Sequence, residues 1–182
     1  MFIQTEQTPN PATLKFLPGC AVMETGTANF TDAASAAARS PLAERLFRLP
    51  EIGGVFLGGD FITVTKSGDS DWFQLKPAVL AAVMEHFTSG QPVVTGAAEV
   101  AAAEGEDNEV VSAIKELLET RVRPAVAQDG GDIIFEDFED GIVYLHMQGS
   151  CSGCPSSTAT LKAGIENMLR HYIPEVVEVR AV

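Results

Sequence analysis

Two cysteines set two residues apart, within Gly149-Ser150-Cys151-Ser152-Gly153-Cys154-Pro155-Ser156-Ser157, are the side chains of this sequence best suited to chemistry. That spacing lets both sulfurs turn toward one point, which suits a shared metal or a disulfide. An alternating apolar stretch precedes the pair and a helically spaced one follows it, so the cysteines fall at a strand-to-helix junction. Pro155 is placed as the first helical residue. The free N–H groups and positive dipole end of that helix favour anions, so thiols there ionise more readily than an isolated cysteine. Gly149, Ser150, Ser152 and Gly153 are small and leave room for a bulky group to approach the backbone.

Counting ligands narrows the options. A zinc site or an iron-sulfur cluster usually takes four protein ligands, and this loop supplies two. Cys20 lies far upstream, and His146 has no spacing that ties it to the pair. A second copy of the chain would bring two identical thiolates across a twofold axis, the commonest oligomer symmetry. Spacing alone leaves three classes open: a metal half-site, a thiol-disulfide oxidoreductase, and a structural role such as a zinc-linked dimerisation module. The redox reading fits the flanks less well. Thioredoxin-like pairs are often preceded by an aromatic residue and enclose a proline, whereas here Ser150 precedes, Ser152-Gly153 are enclosed and Pro155 follows.

Other reactive residues have plainer explanations. Cys20 follows Pro18-Gly19 and reads as a buried or half-exposed thiol. His86 and His171 fall near the ends of helical stretches, where a cation suits the dipole. Asp129-Gly130-Gly131-Asp132 reads as a helix stop and turn rather than a cation site. Gly58-Gly59-Asp60 reads as a hairpin turn, since no lysine or helix start follows to make a phosphate loop.

The elements around the cysteines follow from periodicity. Val110, Ile114, Leu117 and Leu118 form one stripe of a helix running toward Gln128, with Pro124 marking a kink or junction. Strands are expected over Ile133 to Phe138 and Ile142 to Gln148, joined through Asp140-Gly141. On the second, Val143, Leu145 and Met147 share one face while Tyr144 and His146 take the other. After the cysteines comes a helix with Leu161, Ile165, Met168, Leu169 and Tyr172 on its stripe, ended by Pro174. A last strand runs over Val176 to Val182. Upstream, strands are expected at Ala12 to Leu17, Ile52 to Phe56 and Phe61 to Lys66. Pro41 to Phe47 forms a short helix capped by Ser40, and Leu75, Val79, Val83 and Phe87 mark a longer one ending at Gly90.

The two sets of elements are separated by Gln91 to Asn108, a run of small residues, proline, glycine and acids with no aromatic. The expected fold class is therefore α+β: two small α+β domains, 1–92 and 109–182, joined by a flexible acidic linker, 93–108. The C-terminal domain has the order α-β-β-α-β, with the CxxC loop at its strand-to-helix junction. No catalytic constellation assembles in the N-terminal domain, which leaves it a docking role.

Charge bounds the partners. The 182 residues carry 25 acids and 12 bases, a net charge of -13. Residues 1–95 hold 9 acids and 6 bases, 96–108 hold 4 acids, and 109–182 hold 12 acids and 6 bases. Such a chain repels phosphate, which argues against nucleic acid and anionic lipid. The longest strictly apolar run, Ala78 to Met84, falls far short of the roughly 20 residues of a membrane helix. Met1 is followed by no basic and apolar leader. Three cysteines suit a reducing compartment, so the expectation is a bacterial cytoplasmic protein, or a mitochondrial matrix protein if this is a mature form.

The segment GSCSGCPSSTATLKAGIENMLRHYIPEVVEV, with RPAVAQDGGDI upstream, resembles the C-terminal domain of the NifU-like (Nfu) iron-sulfur carrier family. TPNPATLKF, GVFLGGDFITVTK and DWFQLKPAVLAAVMEHF resemble the N-terminal domain of the two-domain Nfu proteins. The resemblance implies a homodimer or larger assembly that holds a labile 4Fe-4S cluster between two CxxC loops, with 2Fe-2S as a further form. It implies a carrier and not an enzyme, which receives clusters from an upstream assembly scaffold and passes them to apo recipient proteins. Cys151 and Cys154 carry over as cluster and metal ligands, and Cys20 matches no ligand of the family.

Overall fold

The computed structural model describes residues 1–95, 108–152 and 155–182, with the backbone alone for 155–157. The chain divides into two compact units, Met1–Val100 and Ala101–Val182. Most of the expected linker, 96–107, and Gly153 and Cys154 lie outside the described residues.

In the first unit β1 (Gln4–Gln7), β2 (Thr13–Leu17), β3 (Ala28–Phe30), β4 (Ile52–Leu57) and β5 (Ile62–Lys66) form one sheet in the order β1-β2-β5-β4-β3. Every pair in it is antiparallel. Helices α1 (Ala33–Arg39), α2 (Pro41–Phe47) and α3 (Trp72–Ser89) complete the unit. Alternation places Leu14, Phe16, Val55, Leu57, Ile62 and Val64 in one buried cluster with Leu42, Leu46, Val79 and Val83 of the helices. Ser40 is the expected cap of α2: its hydroxyl accepts from the Ala43 N–H at 3.0 Å and donates to the Val93 carbonyl at 2.6 Å. Gly58-Gly59-Asp60 is the expected hairpin turn, closed by the Gly58 N–H on the Phe61 carbonyl at 2.9 Å.

Two readings of the N-terminal sequence are corrected. Cys20 is exposed, neither buried nor half-exposed. His86 sits in the last turn of α3 but is fully buried, so it does not serve as a cation for the helix dipole. Among the described residues no group makes a hydrogen bond of good geometry to either ring nitrogen. Burial, and then the nearby Arg45 charge, push its pKa below 6.5, opposed by the Gln91 backbone. The unfolded chain therefore takes up a proton that the folded chain refuses. Stability is unaffected above the ordinary histidine pKa and is lost as pH falls through it. Urea midpoints should drop between about pH 7.5 and about pH 5.5, and His86→Phe should flatten that drop. An unchanged slope in the variant would assign the pH dependence to other groups.

The second unit begins with α4 (Glu109–Leu117), a π-turn over Leu118–Val122 and α5 (Arg123–Gln128). The junction expected at Pro124 is this π-turn. Proline has no N–H, and its ring crowds the carbonyl four residues back, so the chain widens by one residue before α5 starts. Strands β6 (Gly131–Glu139) and β7 (Ile142–Gly149) form a hairpin, then α6 (Pro155–Tyr172) crosses to β8 (Glu178–Ala181). β8 pairs parallel to β7, giving the order β6-β7-β8. Asp140 and Gly141 have φ of 52° and 79°, the two positive values that an Asp-Gly hairpin turn requires. Val143, Leu145 and Met147 face the core with Ile165 and Leu169, as expected. Tyr172 departs from its stripe: it is half exposed, its ring against the Arg121 guanidinium at 5.2 Å. The last strand is shorter than expected, Glu178–Ala181, and just before it the Val177 N–H donates to the Gly141 carbonyl at 2.7 Å.

Candidate metal centre

The CxxC loop leaves β7 at Gly149, whose φ of 65° turns the chain at little cost for a residue without a Cβ. The Ser152 N–H closes that turn on the Gly149 carbonyl at 3.1 Å. Ser150 is buried and clamps the loop to the turn before β6: its N–H reaches the Gly130 carbonyl at 3.2 Å, and its hydroxyl donates to the Asp129 carbonyl. From the other side, the Thr158 hydroxyl of α6 donates to the Cys151 carbonyl at 3.1 Å. Cys151 is thus held at both ends, at the start of α6.

Asp129-Gly130-Gly131-Asp132 does more than stop α5. Gly130 has φ of 80° and reverses the chain, and Gly131 then opens β6 opposite Gly149 of β7. A Cβ on Gly131 would lie 2.5 Å from the Cys151 sulfur, 2.9 Å from the Gln148 carbonyl oxygen and 3.1 Å from the Cys151 nitrogen. The hydrogen of glycine is what lets this cysteine pack where it does. Cys151 is buried, 6% exposed, within the core of the unit.

Asp132 is the buried charge beneath the loop. Arg123, from the start of α5, meets its carboxylate with two bonds of 2.8 Å, and the Ile133 N–H adds a third at 2.8 Å. Glu119 meets the other face of the guanidinium at 2.5 Å. The hydrogen bonds that Arg123 donates to Asp132, aided by the Asp132 charge and by Glu119, raise the Arg123 pKa against the opposing effect of burial. This fork ties α5 to β6 at the position facing Gln148.

Of the residues singled out from sequence, Cys151 stands where expected, and Cys154 lies outside the described residues. His146 is half buried on β7, across from Ile134. Cys20 belongs to the other unit. Among the described residues no three or more His, Cys, Asp or Glu side chains gather to hold a metal ion. No described helix is long and apolar enough to cross a membrane. Sequence reasoning did not find Gly131, Ser150 or the Arg123–Asp132 fork as supports of the loop. Their only sequence signal was the double glycine between two acids.

An α+β chain of two units, the second carrying a strand-to-helix cysteine loop clamped from both sides, defines a class of small thiol-bearing proteins. Comparison with known proteins makes the class specific. The family described as "Scaffold protein Nfu/NifU N terminal" matches residues 3–90, and the "NifU-like domain" matches residues 114–180. The human "NFU1 iron-sulfur cluster scaffold homolog, mitochondrial" is 56% identical over 184 residues, covering 100% of this chain and 72% of that protein. The Arabidopsis thaliana "NifU-like protein 4, mitochondrial" is 55% identical, covering 97% of this chain and 64% of that protein. The solution structure of a NifU-like protein from Saccharomyces cerevisiae has a TM-score of 0.48 at 23% identity, over 53% of this chain and 87% of that one. The chain belongs to the Nfu/NifU family. It spans a little under or over two thirds of the length of these curated relatives, 64% and 72%.

Proposed function

We propose that this protein is an iron-sulfur cluster carrier and scaffold, which holds a labile 4Fe-4S cluster between the CxxC loops of two chains and passes it to apoproteins. One observation carries the reading: Cys151 is fixed by Ser150 and Thr158 on the loop that leads into α6. Cys151 and Cys154 are the ligands, two from each chain of a homodimer, and the same four thiolates serve a 2Fe-2S form. The names of the relatives, iron-sulfur cluster scaffolds, support a cluster rather than zinc or a redox disulfide.

The chemistry follows from charge. A 4Fe-4S core held by four thiolates is an anion, and the N-terminal dipole of α6 favours negative charge. Transfer is ligand exchange: a thiolate of the recipient binds an iron as Cys151 or Cys154 leaves it as thiolate, and the step repeats until all four have changed. No electron is gained or lost, and no organic bond breaks, so the protein acts as a carrier and not an enzyme. Upstream assembly scaffolds are its donors and apo iron-sulfur proteins its recipients. The compartment is a reducing one, the bacterial cytoplasm or the mitochondrial matrix, and the relatives' names call those proteins mitochondrial.

Anaerobic incubation of the full chain with iron, sulfide and reductant is the test. The protein should gain broad absorption near about 400 nm and about four irons per two chains, and Cys151→Ser or Cys154→Ser should abolish both. The loaded chain should activate an apo recipient even with a chelator of free iron present. A colourless monomer that instead reduces disulfides would sink the carrier reading, and tight zinc without iron uptake would favour the dimerisation module.

A further inference from the structure

We infer that the N-terminal unit binds an extended segment of a second protein along the free edge of β1, as an added strand. The inference goes beyond the cluster reading and does not need it. The sheet ends in β3 on one side and β1 on the other. β3 has two of its three residues buried, whereas all four residues of β1 are exposed or half exposed. A strand at an edge presents unpaired N–H and C=O groups, which only an extended chain can satisfy in register.

Two grooves flank this strand, one on each face of the sheet. Thr5 pairs with Phe16, whose ring meets Trp72 of α3, so Thr5 and Gln7 face the helices. On that side a groove of about 570 Å³ runs between them and the start of α3, walled by Trp72, Phe73 and Lys76. Gln4 and Glu6 point to the opposite face, where a second groove of about 470 Å³ is lined by Phe2, Gln4, Leu17 and Asp60. Each groove exposes one phenylalanine to solvent: Phe73 is 86% exposed and Phe2 80%. Successive side chains of a strand point to opposite faces, so a strand laid beside β1 would send alternate residues into the two grooves.

Charge and rigidity define the occupant further. Among the described residues Lys76 is the only charged one lining the first groove, and Asp60 the only one lining the second. The matching segment therefore carries an acidic and an apolar side chain at positions of one parity, and a basic side chain at a position of the other. The wall of the first groove is built to hold its shape. Trp72 Nε1–H donates to the Pro11 carbonyl at 3.2 Å, and the one proton of the Thr8 hydroxyl is shared between the carbonyls of Asn10 and Thr13 at 2.9 and 3.0 Å. Thr8-Pro9-Asn10-Pro11, part of the motif shared with the family, is thereby a fixed turn at the end of β1. Pro77 has no N–H, which leaves the Phe73 carbonyl without its helical donor at the rim of the same groove. The usual edge protections are not in the way: Glu6 is turned to Lys15 at 3.7 Å, and Pro9 lies past the strand.

The test selects a random library of peptides of about ten residues against the full chain. Enriched peptides should alternate acidic or apolar residues with basic ones, and should perturb the amide resonances of Gln4 to Gln7. Lys76→Glu and Phe73→Ser, both at exposed positions, should each weaken binding about tenfold while leaving the circular dichroism unchanged, and selection against Lys76→Glu should exchange acids for bases. The inference is overturned by an absence of enrichment, by enriched peptides without alternation, or by perturbed amides elsewhere than β1. It is equally overturned if the chain self-associates and Phe73→Ser abolishes that association, since the occupant is then a second copy. Cluster loading is unaffected in all these outcomes, so it reports separately on the carrier reading.

Discussion

Replacing Gly131 with alanine is expected to destabilise the C-terminal unit by about 1–3 kcal/mol and to shorten the lifetime of a reconstituted cluster. The argument is steric. The new methyl would meet the Cys151 sulfur at 2.5 Å and the Gln148 carbonyl oxygen at 2.9 Å, and real carbon atoms do not approach so closely. The thiol alone could rotate away. The Gln148 carbonyl is backbone of β7, so relief there requires β6 and β7 to part where Gly131 faces Gly149. The displaced segment is the one from which the CxxC loop springs, and the Ser150 clamp on Gly130 and Asp129 would be strained with it. A matched control separates this from the general effect of alanine for glycine. Gly164 lies on the exposed side of α6 with nothing within 4 Å of its missing Cβ. There the substitution should stabilise by about 0.5–1 kcal/mol, because alanine loses less backbone freedom on folding. Urea midpoints that move in opposite directions for the two variants support the packing account, and movement in the same direction refutes it.

The steric result bears on how the site was legible in the sequence. Cys151-Ser-Gly-Cys154 announced itself by spacing, and the strand before it by strict alternation of Val143, Leu145 and Met147. The Asp140-Gly141 turn and the Ser40 cap were readable for the same reason: each is a local contact, made within a few residues of the side chain that dictates it. The supports of the loop are of another kind. Gly131 and Cys151 meet only because β6 and β7 pair, and Arg123 reaches Asp132 across a helix, a turn and the start of a strand. No periodicity records such a contact. β1 was missed because Gln4-Thr5-Glu6-Gln7 contains no apolar residue, so pairing with β2 rather than burial makes it a strand. α1 was missed because its alanines bury only Ala36 and leave no stripe. His86 was misread because a helix end suggests a dipole, while the packing of α3 against Arg45 and its neighbours decides its charge.

Arg123→Met should cost about 2–3 kcal/mol, the largest effect expected from a residue outside the loop itself. Methionine keeps much of the apolar stem and removes the guanidinium, so packing changes little. Asp132 is then left 3% exposed with its two hydrogen bonds from Arg123 gone, while that from the Ile133 N–H remains. The loss falls below the range for a fully dry pair, because the Arg123 side chain is 31% exposed and water can reach its end of the bond. Glu119 gives the internal comparison. It touches the same guanidinium from the surface, with its side chain 66% exposed, so Glu119→Gln should cost less than about 1 kcal/mol and vanish in high salt. Combining Arg123→Met with Asp132→Leu should recover part of the loss, since no charge is then left buried without its partner. A double variant less stable than Arg123→Met alone would show that Asp132 holds the turn through the Ile133 N–H and not through the ion pair. The same set of variants, loaded with cluster, links stability to function. If the fork holds the turn that clamps Ser150, cluster lifetime should fall in the order of the stabilities, with Glu119→Gln close to the unaltered chain and Arg123→Met lowest.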